Sequence, residues 1–346
     1  MRRTKFHLLS FLLVIFVFGS FIINFLPITA SHVSLHPISK KANTLTIVTS
    51  ISIVADFASK IGEGIFTVES IVTGNENPHI YEPSPLEIQM VAESDLFIRF
   101  GLEGLEPWVQ SVVDVNLGIK VLELVNSSMI EFDSLINADN PHVWMNPNNV
   151  KTMASMIYQQ VSLLDPENIA TFNTNLNNYL SNLDSLLSRI EDAKVDMDGM
   201  KVVVHHPSFK YLFDLLGIIR VGAIEEREGS EPSPDHIQKI MSDIETENVS
   251  LIVNQPQLEE ETVNQIARET GIKIVDLTPL LGVFGLNSYI AMIDYNLIAL
   301  KNPFEPPKVN IDLPFWFLVS FGITIILSYV LFIIVVRYRH SRSLLV

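Results

Sequence analysis

The chain has 346 residues, with 39 acidic side chains against 23 Lys and Arg and a formal net charge of −16. That length suits one large or two ordinary domains, and that charge excludes a protein that grips phosphate backbones through clustered Lys and Arg, so no nucleic-acid partner is expected. The absence of cysteine excludes disulfides, thiolate metal sites, thiol catalysis and a lipidated N-terminal cysteine.

Arg2, Arg3 and Lys5 precede a stretch from Phe6 to Ile28 with no formally charged residue, the layout of a signal peptide or signal anchor over 1–30. Residues 31–43 read as a polar leader. Leu45–Ser50 is rich in β-branched residues and reads as a strand, and Ser52–Ile61 has helical apolar spacing. Phe66–Val72 follows as a strand, Leu86–Glu93 as a helix, Leu96–Phe100 as a strand and Trp108–Val113 as a helix. Alternation of this kind indicates parallel βαβ units and an N-terminal α/β lobe over 44–165.

Residues 166–197 place Phe172, Leu176, Tyr179, Leu180, Leu183, Leu186, Leu187 and Ile190 at helical spacing, which predicts one long amphipathic helix. It is either a strut crossing between lobes or a helix on one lobe's surface. The strand–helix pattern then resumes over 198–301: Lys201–Val204, Ile218–Ala223, Leu251–Val253 and Ile272–Val275 as strands, with Phe209–Leu216, Pro234–Glu247 and Glu259–Thr270 as helices. Pro303, Pro306 and Pro307 stiffen a spacer over 302–312.

Leu313 to Val336 carries no charge and at about 1.5 Å per residue would span roughly 36 Å, which predicts a transmembrane helix. Arg337, Arg339 and Arg342 follow it, so the positive-inside rule makes 337–346 a basic cytoplasmic tail and leaves the ectodomain outside the cell membrane. The expected fold class is α/β: two similar lobes with parallel sheets joined by one long helix, plus this C-terminal helix.

Loops after strand carboxyl ends are where parallel sheets build sites, and four histidines sit there. His79 lies in Asn77-Pro78-His79-Ile80-Tyr81-Glu82-Pro83, and His142 in the similar Asn140-Pro141-His142-Val143-Trp144-Met145-Asn146-Pro147. His205 and His206 end the strand Lys201–Val204, and Asp276 ends the strand Ile272–Val275. Three imidazoles and one carboxylate suit a tetrahedral metal sphere, and imidazole favours Zn, Cu, Fe or Ni over the oxygen-seeking Mn. The sequence has no His-Glu-x-x-His, Gly-x-Ser-x-Gly, P-loop or dinucleotide fingerprint, so binding is expected and catalysis is not.

These stretches, with Gly101-Leu102-Glu103-Gly104-Leu105-Glu106-Pro107-Trp108 and Glu231-Pro232-Ser233-Pro234, resemble the zinc/manganese class of ABC-transporter solute-binding proteins over about 45–300. The resemblance implies metal ligands at His79, His142, His206 and Asp276, and it selects His206 over His205 through His206-Pro207-Ser208-Phe209-Lys210-Tyr211. It also implies that the long helix is a rigid inter-lobe strut, that the cargo is Zn²⁺ or alternatively Mn²⁺, and that an ABC permease is the partner. This chain has Asn-Pro-His where the family usually has Asp-Pro-His. An alternative function is a surface adhesion or interaction protein whose metal is structural.

Overall fold

The computed structural model describes residues 44–115, 118–226 and 229–303. The first sheet is wholly parallel and holds β1 (Thr46–Ile51), β2 (Thr67–Val72), β3 (Leu96–Arg99) and β4 (Val121–Glu123), in the order β2-β1-β3-β4. Its helices are α1 (Ser52–Gly62), α2 (Pro85–Ala92) and α3 (Val109–Val113). A short antiparallel pair, β5 (Glu131–Asp133) with β6 (Ala138–Asn140), leads to α4 (Pro147–Leu164) and α5 (Ile169–Met197).

The second sheet comprises β7 (Lys201–Val204), β8 (Ile219–Ala223), β9 (Leu251–Asn254) and β10 (Lys273–Asp276), with α6 (Lys210–Leu216), α7 (Pro234–Thr246) and α8 (Glu261–Thr270), and α9 (Tyr289–Lys301) ends the described chain. Its order, β10-β9-β7-β8, is again parallel and is the first sheet's order read from the other edge. In each half the first strand is flanked by the two that follow it. The chain therefore reverses its direction of winding beside β1 and beside β7, the points where such sheets open a crevice at strand carboxyl ends.

Strands β1, β2, β3 and β7 to β10 form where expected because both faces of a parallel sheet are covered, which favours β-branched runs over alternation. Val48, Ile47 and Ile51 of β1 are all fully buried. In β7, Val202 and Val204 join a core continuous with the first half, whereas Val203 faces a separate cluster with Ile224, Ile240, Ile252 and Ile266.

The long helix is present as 29 residues of α5, or about 44 Å at about 1.5 Å per residue. Its Phe172, Tyr179, Leu183, Leu186, Ile190 and Met197 are buried, and it packs against α1 and α4 of the first half and α6 of the second. It is therefore a helix shared by both halves. Asn175 Nδ2 donates to the Ile61 carbonyl at 3.0 Å, and Arg189 makes a bidentate pair with Asp294 of α9 at 2.8 and 2.9 Å.

Helices α4 and α9 and the short strands β4, β5 and β6 are additions to the sequence expectation. α9 returns to the first half: Tyr289 N–H donates to the buried Asp56 Oδ2 at 2.9 Å and Tyr289 Oη–H to the Trp144 carbonyl at 2.7 Å. Among the described residues no helix is long and apolar enough to cross a membrane. The apolar segments at 1–30 and 313–336, and the tail at 337–346, lie outside the described residues.

Leu183 sits at the middle of α5 with no exposure, so Leu183→Ala is expected to cost about 2–5 kcal/mol by leaving a cavity in the core. A urea unfolding curve on the metal-free protein measures it.

Candidate metal centre

Each of the three central histidines sits at or beside a short 3₁₀ turn. Asn77 Oδ1 accepts from His79 N–H at 3.0 Å, which starts the 3₁₀ turn Pro78–Ile80, and Trp108 Nε1–H donates to the Pro78 carbonyl at 2.9 Å. Asn140 Oδ1 accepts from His142 N–H at 3.0 Å ahead of the turn Val143–Met145. Trp144 in that turn stacks on Phe100 at 4.8 Å and donates through Nε1–H to the Pro279 carbonyl of the second half at 2.8 Å. His206 follows β7 and precedes the turn Pro207–Phe209.

The imidazoles then converge. His79 Nε2 lies 3.2 Å from His142 Nε2, and His206 Nε2 lies 3.3 Å from the same atom. Among the described residues these three form a group of potential ligands whose donor atoms all lie within 4.8 Å of one another, and all three are buried. They line a cleft of about 430 Å³ walled by Leu102, Glu103, Ile130, Pro141, Pro207 and Glu226.

What sits behind each ring decides what its front can do. His79 Nδ1 meets the Gly104 carbonyl at 2.6 Å, His142 Nδ1 meets Asn140 Oδ1 at 3.0 Å, and His206 Nδ1 meets Glu225 Oε2 at 2.5 Å. All three partners are acceptors, so each Nδ1 carries the proton and each Nε2 presents a lone pair to the same point. Lone pairs at this spacing repel until a cation lies between them.

A tetrahedral ion bound at 2.0–2.1 Å would separate its nitrogens by roughly 3.3 Å, which matches the two observed distances. Burial, then the nearby His206, lowers His79 from 6.5 to about 4, against the opposing pull of Gly104 and Glu225. Burial and the neighbouring His206 and His79 likewise hold His142 well below its usual range. Both rings are therefore neutral, as ligation requires.

The motif residues between the ligand loops support the site at one remove. Glu106 is buried, accepts from Phe100 N–H at 3.5 Å and Gly101 N–H at 3.3 Å, and so shapes the loop that offers Gly104 to His79. Burial pushes its carboxyl up to about 7, against the pull of those hydrogen bonds. Burial alone would raise the Glu225 carboxyl too, but the hydrogen bond from His206, with the Gly229 N–H at 2.6 Å, brings it below its ordinary value.

Of the four residues expected as ligands, the structure brings three together. Asp276 is exposed at the end of β10, two strands from β7, and its Oδ1 accepts from Asn254 Nδ2 at 2.8 Å. With neighbouring strands about 4.8 Å apart, it lies two strand spacings from β7 and is not among the groups that converge with the triad. His205 points to the same Asn254, Nδ1 to Oδ1 at 3.1 Å, and not into the triad. In the sequence Glu225 is one of several acids following the strand Ile218–Ala223, with nothing to single it out, and the acceptor role of Gly104 has no side-chain signal at all.

Residues 47–302 match the family described as zinc-uptake complex component A, periplasmic, and the chain belongs to that family. It is a substrate-binding component of a metal ABC transporter and not an enzyme. The manganese-binding lipoprotein MntA of Halalkalibacterium halodurans is 27% identical over 267 residues, covering 75% of this chain and 88% of that protein. The iron ABC transporter substrate-binding lipoprotein MtsA of Streptococcus pyogenes is 24% identical over 300 residues, covering 81% and 95%. A crystal structure of ZnuA superposes with a TM-score of 0.66 at 26% identity, covering 74% of this chain and 99% of that one.

These relatives correct the expected localisation. They are named lipoproteins, so their hold on a membrane comes from acyl chains, whose apolar area does the work expected here of a C-terminal transmembrane helix. The cytoplasmic tail, which was inferred from that helix, goes with it.

A neutral, buried His79 makes the metal-free protein less stable as pH falls from 6.5 towards 4, because the unfolded chain takes up a proton that the folded one refuses. Glu106 acts in the opposite sense, since its raised value costs stability as pH rises through about 7. A His79→Gln variant removes the first effect alone. Its stability relative to the parent is expected to rise between pH 6.5 and 4 in urea titrations. Glu225→Gln should weaken metal binding about tenfold with little change in metal-free melting, as expected when the partner behind a ligating histidine loses its charge.

Proposed function

We propose that this protein captures a single divalent transition-metal ion, Zn²⁺ in preference to Mn²⁺, through Nε2 of His79, His142 and His206, and delivers it to an ABC permease. The observation that carries this is the spacing of the three Nε2 atoms, 3.2 and 3.3 Å about His142, which is that of nitrogens around one tetrahedral ion. Nitrogen donors in that geometry favour zinc, whereas manganese prefers more oxygen ligands. Relatives are named for manganese and for iron, and a structure of a ZnuA deletion mutant is described with zinc bound.

Asp276 is the proposed fourth ligand, reached when it leaves Asn254 and turns towards the triad. Two domains, 44–165 and 198–301, with 166–197 between them, remain the proposed division, and the ion lies where they meet. Release then follows either from a small separation of the halves, which parts His206 from His79 and His142, or from protonation of the imidazoles.

Equilibrium titration of the full chain is expected to show one tight Zn²⁺ site. His79→Ala and His142→Ala should each weaken it by about two orders of magnitude or more, and Asp276→Ala by less, since three nitrogens remain. Unchanged affinity in both histidine variants would sink the assignment.

A further inference from the structure

Beside the triad, a set of polar contacts between the two halves converges on Asn140. The residue ends β6 and is fully buried. Its Oδ1 accepts from both the backbone N–H and the ring Nδ1–H of His142, each at 3.0 Å. Its Nδ2 donates to Asp133 Oδ2 and to the Pro207 carbonyl, each at 2.9 Å. Its main-chain carbonyl accepts from Tyr211 Oη–H at 2.8 Å, and that hydroxyl accepts in turn from Glu131 N–H at 3.0 Å.

The neighbours permit one orientation of the amide. The His142 N–H can only donate, while the Asp133 carboxylate and the Pro207 carbonyl can only accept. An aspartate of the same shape would set its second oxygen against a carboxylate and a carbonyl with no proton between them, a buried contact of acceptors that costs far more than a missing bond. Asp133 is itself fixed, because Arg220 of β8 donates to its two oxygens at 2.7 and 2.9 Å and buries the pair.

Asp133, Asn140 and His142 belong to the first half of the chain, and Pro207, Tyr211 and Arg220 to the second. Pro207 immediately follows His206. We infer that Asn140 is a positioning residue that sets two imidazoles at once, aiming His142 directly and holding His206 opposite it through Pro207, with Asp133 and Arg220 fixing the direction of its amide. The inference rests on the proposed site and adds to it a residue that makes the separation of the halves and the geometry of the ligands one variable.

The experiment uses the full chain with Zn²⁺ titration, the visible absorption of bound Co²⁺ as a reading of ligand geometry, and melting of the metal-free form. Asn140→Asp is expected to weaken Zn²⁺ binding at least about tenfold, the scale of losing the partner behind a ligating histidine, and to change the Co²⁺ bands. Adding Asp133→Asn to it restores a donor facing residue 140, though not one at the Pro207 carbonyl, and should recover part of that loss.

Arg220→Gln, which touches none of the three imidazoles, should alter the Co²⁺ bands in the same sense with a smaller loss of affinity. Asn140→Asp with affinity within threefold of the parent and unchanged bands would overturn the inference, as would a double variant no tighter than the single one. Should Asn140→Asp not fold, Arg220→Gln decides, and parent-like affinity and bands there overturn it. Failure of the site itself reads differently: His142→Ala would then bind Co²⁺ with the parent's spectrum.

Discussion

Three nitrogen lone pairs are held facing one another inside a buried cleft, and the structure around them is what that arrangement requires. An imidazole left to itself would turn its N–H towards a neighbour's lone pair and form an ordinary hydrogen bond. Here an acceptor behind each ring prevents it: a main-chain carbonyl for His79, an amide oxygen for His142 and a carboxylate for His206. Each acceptor is in turn held by a further contact, the Gly104 loop by buried Glu106, the Asn140 amide by Asp133 and Pro207, and Glu225 by the Gly229 N–H. The mutual repulsion of the lone pairs is borne by packing and is relieved when a cation arrives, which is how a preformed site converts folding energy into affinity.

The fold delivers these parts because two sheets of the same strand order end against each other. His79 leaves the first sheet after β2, and His206 and Glu225 leave the second after β7 and β8. Between the halves lies no empty hinge: the core runs through both, α5 is buried along both, and α9 returns to α1 through Tyr289 and Asp56. Wide opening would expose that shared apolar surface at roughly 25 cal/mol per Å², so exchange of the ion must be managed by small displacements at the cleft.

Much of this was legible in the sequence. β-branched runs marked the strands of both sheets, and 3–4 apolar spacing marked α5. The two Asn-Pro-His loops and the strand-end pair His205-His206 marked the centre. Helix α4 was missed because its apolar residues lie among several asparagines and serines, and β4, β5 and β6 are each three residues, too short for a period-2 pattern to register. Asp276 had the right chemistry at a strand end, but sequence could not show that Asn254 on the intervening strand holds it. Asn140 and Gly104 were invisible as partners because a hydrogen bond to an amide or a main-chain carbonyl leaves no mark on composition.

The separate apolar cluster on the outer face of the second sheet gives the molecule two levels of cooperativity. Ile240, Ile244, Val263 and Ile266 of α7 and α8 pack there with Val203, Ile224 and Ile252 and contribute nothing to the core shared with the first half. Such a layer can loosen as a unit while the rest of the chain stays folded. Ile224 of this layer is the chain neighbour of Glu225, so a loosening of the layer reaches the carboxylate behind His206 along the chain.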